Sequence, residues 1–262
     1  MAGAPPRGHD RPTASSGGAL ALTLLSAASG VTGVAYEVLW TRMVGLQFGV
    51  SAFAVVVTVT AFMLGLACGS ASMAERAAQC ARPMRLLGLL EAGIALFALL
   101  LPWGIHLWTP LIDAAAGDFS PAQWHVLLAL VSLLLLTLPA AAMGAGFPLL
   151  LEAWKQYGRS IGTAYGSNTL GAGAGALLPL LLLPSMGWSN AMRAVALLGL
   201  TVAAGLFCLD RPRRFPVPSA SEPVPSRALL LNYGIIGAAS LLLEMAWVRL
   251  FSLAMLRTEY VL

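Results

Sequence analysis

Hydrophobic residues run through the chain in long, nearly continuous stretches that polar segments separate. Each stretch approaches the roughly 20 apolar residues that a helix needs to cross a bilayer. None alternates apolar and polar positions as a strand does. The pattern predicts an all-α, polytopic helical membrane protein with spans at residues 18–41, 50–73, 85–108, 123–148, 161–184, 190–209 and 228–251.

Composition points to the same class. The 262 residues are 58% hydrophobic and 10% charged, and the mean hydropathy is +0.81. Soluble domains carry about 25% charged residues, so the expected partner is the lipid bilayer. The three cysteines have no metal-ligand spacing, and no dense basic run is interleaved with aromatics. We therefore expect no metal site, no cofactor and no nucleic-acid partner.

The polar segments divide the chain into four predicted parts. Residues 1–17 are polar and rich in Pro and Gly, which predicts a disordered cytoplasmic tail. Residues 18–209 form a six-helix transmembrane half. Residues 210–227 contain five prolines and several arginines, which is typical of an exposed linker. Residues 228–262 hold the first helix of a second repeat.

Basic residues predict the orientation. With the N-terminus inside, eleven of the fifteen Lys and Arg residues fall on inner segments, as the positive-inside rule requires. We expect a multi-pass protein of the cell (inner or plasma) membrane with a cytoplasmic N-terminus. Six of the seven tryptophans, Trp40 among them, fall near the outer helix ends and are expected at the membrane interface. An outer loop is predicted at 109–122.

The sequence of the first helix recurs after the linker. Gly30 to Phe53 aligns with Gly237 to Tyr260 without a gap, and both copies read E-x-x-W-x-R. Such a match predicts a duplicated fold. The second copy stops just after its first helix, so we expect a truncated or split gene product, or a fold that a second polypeptide completes.

The repeated acid and arginine are the first candidates for substrate or ion binding: Glu37 and Arg42, with their copies Glu244 and Arg249. Ionisable groups within spans usually face a cavity or a partner. Glu37 and Arg42 are five residues apart and are not a clean helical ion pair. Two interpretations stay open, a substrate or proton site and a buried structural contact.

Further polar candidates lie on the third and fifth spans. Glu91 is expected to be a partly solvated acid paired with Arg82 or Arg85, with proton coupling as the alternative. Tyr165 and Asn168 either line a cavity or bond a neighbouring helix.

Two other patterns concern helix geometry. The GxGxG at 171–175 lies between apolar runs and indicates close helix packing, not a nucleotide turn. Pro139 and Pro148, with glycines between them, predict a kinked or broken end of the fourth span.

Three motifs occur in order: E-x-x-W-x-R, P-x-x-x-M-G-x-x-F-P at 139–148, and G-x-x-Y-G-x-N-T-x-G at 162–171, closed by Pro184 and Gly187. Over residues 20–262 the chain resembles the membrane part of spermidine-synthase-like proteins, the fused MFS/spermidine synthase family. The resemblance implies an MFS-like six-helix half, usually followed by a polyamine aminopropyltransferase-like domain. That domain is not found in this sequence, and we expect no catalytic residue here.

The expected function is a membrane module of such a fusion, either transporter-like or an anchor. The alternatives are half of a secondary transporter for a small cationic metabolite, or an inactive truncated product.

Overall fold

The computed structural model describes residues 16–48, 52–117, 119–157, 160–212 and 226–254, and within these ranges the chain is helical, with no strand. Six helices are long and apolar enough to cross a membrane, which confirms the all-α membrane class. The elements are α1 Ser16–Phe48, α2 Ala52–Met73, α3 Arg76–Gln79, α4 Pro83–Ala116, α5 Pro121–Gln156, α6 Ile161–Leu209 and α7 Arg227–Ala254.

The outer surface of the bundle is apolar, as lipid contact requires. Large side chains such as Leu134, Leu170 and Leu107 are 75% or more exposed. In water a contiguous surface of this kind would be an association site. In a bilayer it is the surface that hydrocarbon covers.

Helix α6 is a hairpin rather than one straight span. Its 49 residues would extend roughly 73 Å, more than twice the hydrocarbon thickness. The helix breaks at Gly187, where φ is 74°, a conformation that favours glycine. A first limb (161–186) and a second limb (188–209) therefore run in opposite directions, where the sequence predicts spans 161–184 and 190–209.

Contacts to α1 show the hairpin directly. Near one end of α1, Ser26 donates a hydrogen bond to the carbonyl oxygen of Ala164 in the first limb. Toward the other end, the Trp188 indole donates to the Leu39 carbonyl oxygen at 3.3 Å. Gly205 of the second limb returns to Leu25. Both limbs thus lie beside the same helix.

The first limb of α6 and α1 pack backbone to backbone. A Cβ atom added at Gly171 would lie 1.9 Å from the Ala27 carbonyl oxygen, and one at Gly30 would lie 2.1 Å from the Asn168 carbonyl oxygen. Gly175 has a similar close approach. Small residues allow this approach, which favours van der Waals and Cα–H···O contacts. The packing interpretation of the GxGxG segment thus has a structural basis.

Helices α2 and α5 form a second pair of the same kind. A Cβ atom at Gly69 would lie 1.9 Å from the Ala141 carbonyl oxygen, and one at Gly144 would lie 2.1 Å from the Leu66 carbonyl oxygen. Gly65 also meets the backbone of α5. In each pair, two glycines four residues apart on one helix face a single glycine on the other.

Helix α4 packs on α6, where it contacts the second limb, and also on α5. Its Gly88 faces Ala203 and the Phe207 ring. At the predicted inner end, Arg82 makes a 3.3 Å salt bridge with Asp210. The contacts between the α1–α6 pair and the α2–α5 pair are much sparser than those within each pair.

Trp40 lies in the core, which corrects its prediction as an interface residue. Its side chain is 0% exposed and stacks on Tyr36, with ring centroids 5.2 Å apart. Phe97 meets it edge-on and Phe62 packs at a tilt. The interface rule fails here because four aromatic rings meet between helices. Trp103 and Trp108 are 71% and 63% exposed.

Two predicted boundaries are also wrong. Helix α5 runs unbroken through Pro139 and Pro148, so a broken end of the fourth span is wrong, while a kink at these prolines stays a prediction. Helix α4 continues through Pro110 to Ala116, which leaves a connection shorter than the predicted loop 109–122. A proline removes one backbone donor, and the surrounding helical turns hold these helices together.

Helix α7 carries the repeated motif but has little packing within the described residues. Its apolar window Arg227–Glu244 contains no buried residue, and Trp247 is 49% exposed. The predicted tail up to residue 15, residues 213–225 of the predicted linker and residues 255–262 lie outside the described residues.

Candidate functional site

A cavity of about 440 Å³ lies between the two helix pairs, with α4 on a further side. Its walls come from five helices, and the residues facing it are mainly apolar, with hydroxyl, amide and carboxyl groups among them. The polar lining residues are Ser29, Thr32, Tyr36, Glu37, Ser70, Glu91, Tyr165, Asn168 and Thr169.

Glu37 lines this cavity from α1. Ser29, Gly33 and Glu37 are spaced by four residues, so they share one helix face, and all three border the cavity. Within the described residues Glu37 makes no hydrogen bond or ion pair. Its carboxyl group is therefore available to a ligand.

Glu91 supplies a second carboxyl group from α4. Its side chain is 7% exposed and accepts a hydrogen bond from the Ser29 hydroxyl. The expected pairing with Arg82 or Arg85 is wrong, because Arg82 bonds Asp210 instead and Arg85 is exposed. Glu91 turns toward the cavity rather than toward the inner surface.

Asn168 and Tyr165 reach the cavity from the first limb of α6. The Asn168 amide donates a 3.2 Å hydrogen bond to the Ser26 carbonyl oxygen, so the residue both lines the cavity and joins two helices. Tyr165 is 59% exposed and meets the Phe147 ring edge-on, with centroids 6.1 Å apart. These two residues form one wall of the cavity.

The apolar part of the lining comes largely from α5 and α2. Met143, Gly144 and Phe147 belong to the P-x-x-x-M-G-x-x-F-P segment, and all three border the cavity. Phe62 from α2 adds a further aromatic ring. Residues from each of the three sequence motifs therefore meet at one place in the fold.

The remaining candidates lie elsewhere. Arg42 is half-buried and does not border the cavity. Glu244 is an exposed residue of α7, yet its carboxyl group is close enough to interact electrostatically with Glu37. Arg249 lies on α7, and its side chain falls outside the described part of the chain.

The lining defines which ligands the cavity favours. The described residues that line it include two carboxyl groups and no Lys, Arg or His, so its electrostatics favour positive charge. Aromatic rings add to the attraction for a cation. Over the described residues, no cluster of three His, Cys, Asp or Glu side chains has metal-binding geometry.

Ser29 and the orientation of Glu91 were missed by sequence reasoning. Ser29 lies eight residues before Glu37, and this spacing on one helix face is the signal that identifies it. No local signal places Glu91, because its surroundings depend on how α4 packs against α1.

Comparison of the chain with protein-family models, curated proteins and solved structures found no significant match.

Proposed function

We propose that this chain is a transporter-like membrane module that binds a small cationic metabolite in the cavity between the two helix pairs. The observation that supports the proposal is the Glu37 carboxyl group, which has no hydrogen-bond or ion-pair partner among the described residues and borders a cavity that no described basic residue lines. Placing an ionisable group within a spanning helix costs a few kcal/mol on insertion scales. A bound cation offsets that cost.

The helix pairing supports an MFS-like half. A three-plus-three arrangement relates α1, α2 and α4 to α5 and the two limbs of α6. In such a repeat, α1 corresponds to α5, and α2 corresponds to the first limb of α6. The glycines fit this correspondence, because α1 and α5 each contribute one close-packed glycine, whereas α2 and the first limb of α6 each contribute two. Inverted three-helix repeats are nested within each half of MFS transporters, and substrates bind at repeat interfaces.

The resemblance to spermidine-synthase-like membrane proteins remains part of the proposal. Motif residues Glu37, Met143, Phe147, Tyr165 and Asn168 all border one cavity, which supports the interpretation that the three motifs form one site. On this account the chain binds and moves a small cation, and any aminopropyltransferase chemistry resides in another domain.

Movement of a ligand through the cavity requires the helix pairs to shift relative to one another. Each pair is held by backbone contacts at three glycines, whereas the contacts between pairs are sparse. This distribution supports rocking of two rigid pairs about the ligand, the general pattern of alternating access.

The test is flux into proteoliposomes, with radiolabelled tetramethylammonium as a permanent cation and methanesulfonate as an anion that stays charged at neutral pH. We expect uptake of the cation alone. The rate in Glu37→Gln should fall at least about tenfold, since the substitution leaves the cation without its charge partner. Glu75→Gln is the matched control, because Glu75 is an exposed acid away from the cavity. A membrane anchor predicts no flux in any variant.

A further inference from the structure

Glu91 is the second carboxyl group of the cavity, and the proposed function gives it no role of its own. Its side chain is 7% exposed and lies on a helix inside the predicted membrane span Pro83–Leu111. Its hydrogen-bond partner is the neutral Ser29 hydroxyl, and no basic side chain pairs with it among the described residues. A buried carboxyl group without a cation partner is most stable in its neutral form.

In the part of the chain that the structure describes, no basic side chain lines the cavity beside Glu91. Across the same cavity, the titratable side chains are Tyr36 and Glu37 from α1 and Tyr165 from α6. The cavity-lining residues of α2 and α5 do not titrate. On α4 itself, Arg82 is bound to Asp210 and Arg85 is exposed.

We propose that Glu91 is a proton-binding site and that its proton is exchanged for the cation that Glu37 binds. This inference rests on the proposed function and adds the coupling ion to it. When the cavity is empty, Glu91 holds a proton. When a cation enters, its positive charge stabilises the Glu91 carboxylate, so the two ligands compete through one cavity.

The exchange balances in charge and atoms. The O–H bond of the Glu91 carboxyl group breaks, the electron pair stays on the carboxylate, and the proton passes to cavity water and then to the aqueous phase. One positive charge enters the cavity as one leaves. The Ser29 hydroxyl donates to the resulting carboxylate, so the charged form keeps a hydrogen bond.

Helix α1 connects the proton site at Glu91 with the cation site at Glu37. Ser29 and Glu37 lie on the same face of this helix, and Ser29 reaches the Glu91 carboxyl group on α4. A movement of α1 that accompanies binding at Glu37 therefore also changes the surroundings of Glu91. Proton binding and cation binding share a helix as well as a cavity.

The first test measures the proton without any cation. Infrared difference spectra of the purified chain, recorded as a function of pH, report the C=O stretch of protonated carboxyl groups. We expect a band at neutral pH with a component that Glu91→Gln removes and that Glu37→Gln and Glu75→Gln keep. Ser29→Ala should retain the band and move it to higher wavenumber, because the hydrogen bond to Ser29 is lost. A band that is unchanged in Glu91→Gln overturns the assignment.

The second test measures the exchange. Tetramethylammonium chloride is added to weakly buffered protein while a pH dye reports released protons, and labelled cation binding is measured in parallel by equilibrium dialysis. This cation has no proton of its own, so any release comes from the protein. We expect about one proton for each bound cation, and none in Glu91→Gln.

Cation affinity should also rise with pH by up to about tenfold per pH unit, and Glu91→Gln should flatten this dependence. Cation binding without proton release overturns the exchange and leaves the proposed function intact. Absence of cation binding, with the infrared band still present, contradicts the proposed function and removes the exchange while Glu91 remains a proton site.

Discussion

Ser29 and Glu91 are 62 residues apart in the sequence and form a hydrogen bond that joins α1 to α4 at the wall of the cavity. The contact brings the second carboxyl group of the cavity to the helix that carries the first, Glu37. The site thus depends on three levels of structure: the four-residue spacing on α1, the packing of α4, and the gap between two tightly packed helix pairs.

The repeated tryptophans give a stability comparison within one chain. Trp40 is 0% exposed and Trp247 is 49% exposed. Trp40→Ala should lower the free energy of unfolding by about 3–5 kcal/mol, because it leaves a cavity among aromatic rings. Trp247→Ala should lower it by less, because about half of that side chain is already exposed.

Aggregation of detergent-purified protein after heating, followed by size-exclusion chromatography, checks this comparison. The expected result is a larger fall in midpoint temperature for Trp40→Ala than for Trp247→Ala. Equal midpoints for the two variants would contradict the burial that distinguishes the two copies.

Two glycines of the GxGxG segment should differ sharply in how much their substitution by alanine destabilises the chain. A Cβ atom at Gly171 meets the Ala27 carbonyl oxygen, whereas one at Gly173 has no heavy atom within 4 Å. Gly171→Ala should therefore separate α1 from α6 and destabilise the chain by about 1–3 kcal/mol.

Gly173→Ala is the matched control and should keep or slightly raise stability, since alanine favours a helix over glycine. The measurement is the same thermal assay, together with the yield of monodisperse protein. If Gly173→Ala were as damaging as Gly171→Ala, close packing would not be the role of this segment.

The predicted orientation can be tested with single cysteines. In a variant with Cys68, Cys80 and Cys208 replaced by serine, we expect Ser120→Cys to react with an impermeant maleimide in intact cells. Gln79→Cys should react only after the cells are permeabilised, because it lies on the opposite, arginine-rich end of the bundle. The reverse labelling pattern would contradict a cytoplasmic N-terminus.

The sequence predicts the helical class well because membrane spans are encoded locally, in runs of apolar residues. It also indicates two spans around Gly187, where a glycine shortly after Pro184 permits the turn that α6 makes. The prolines inside α5 led to the wrong prediction of a helix break, because the effect of Pro139 depends on the helical turns around it and not on the proline alone.

The residues of the candidate site were likewise only partly predictable from the sequence. Glu37, Tyr165 and Asn168 stand out in the sequence as polar residues within apolar helices, and the structure brings them to one cavity. Glu91 is equally visible, but its partner is set by helix packing across a long sequence separation, and the nearby arginines suggest a local ion pair instead. Trp40 misleads for a similar reason, since its depth depends on Phe62 and Phe97 from other helices.

Equilibrium binding of labelled tetramethylammonium to the purified chain measures whether Glu37 holds a cation in the cavity. We predict saturable binding that falls at least about tenfold in Glu37→Gln and is unchanged in Glu75→Gln, with no binding of acetate to any variant. Binding of the cation that is equal in wild-type protein and Glu37→Gln would contradict it.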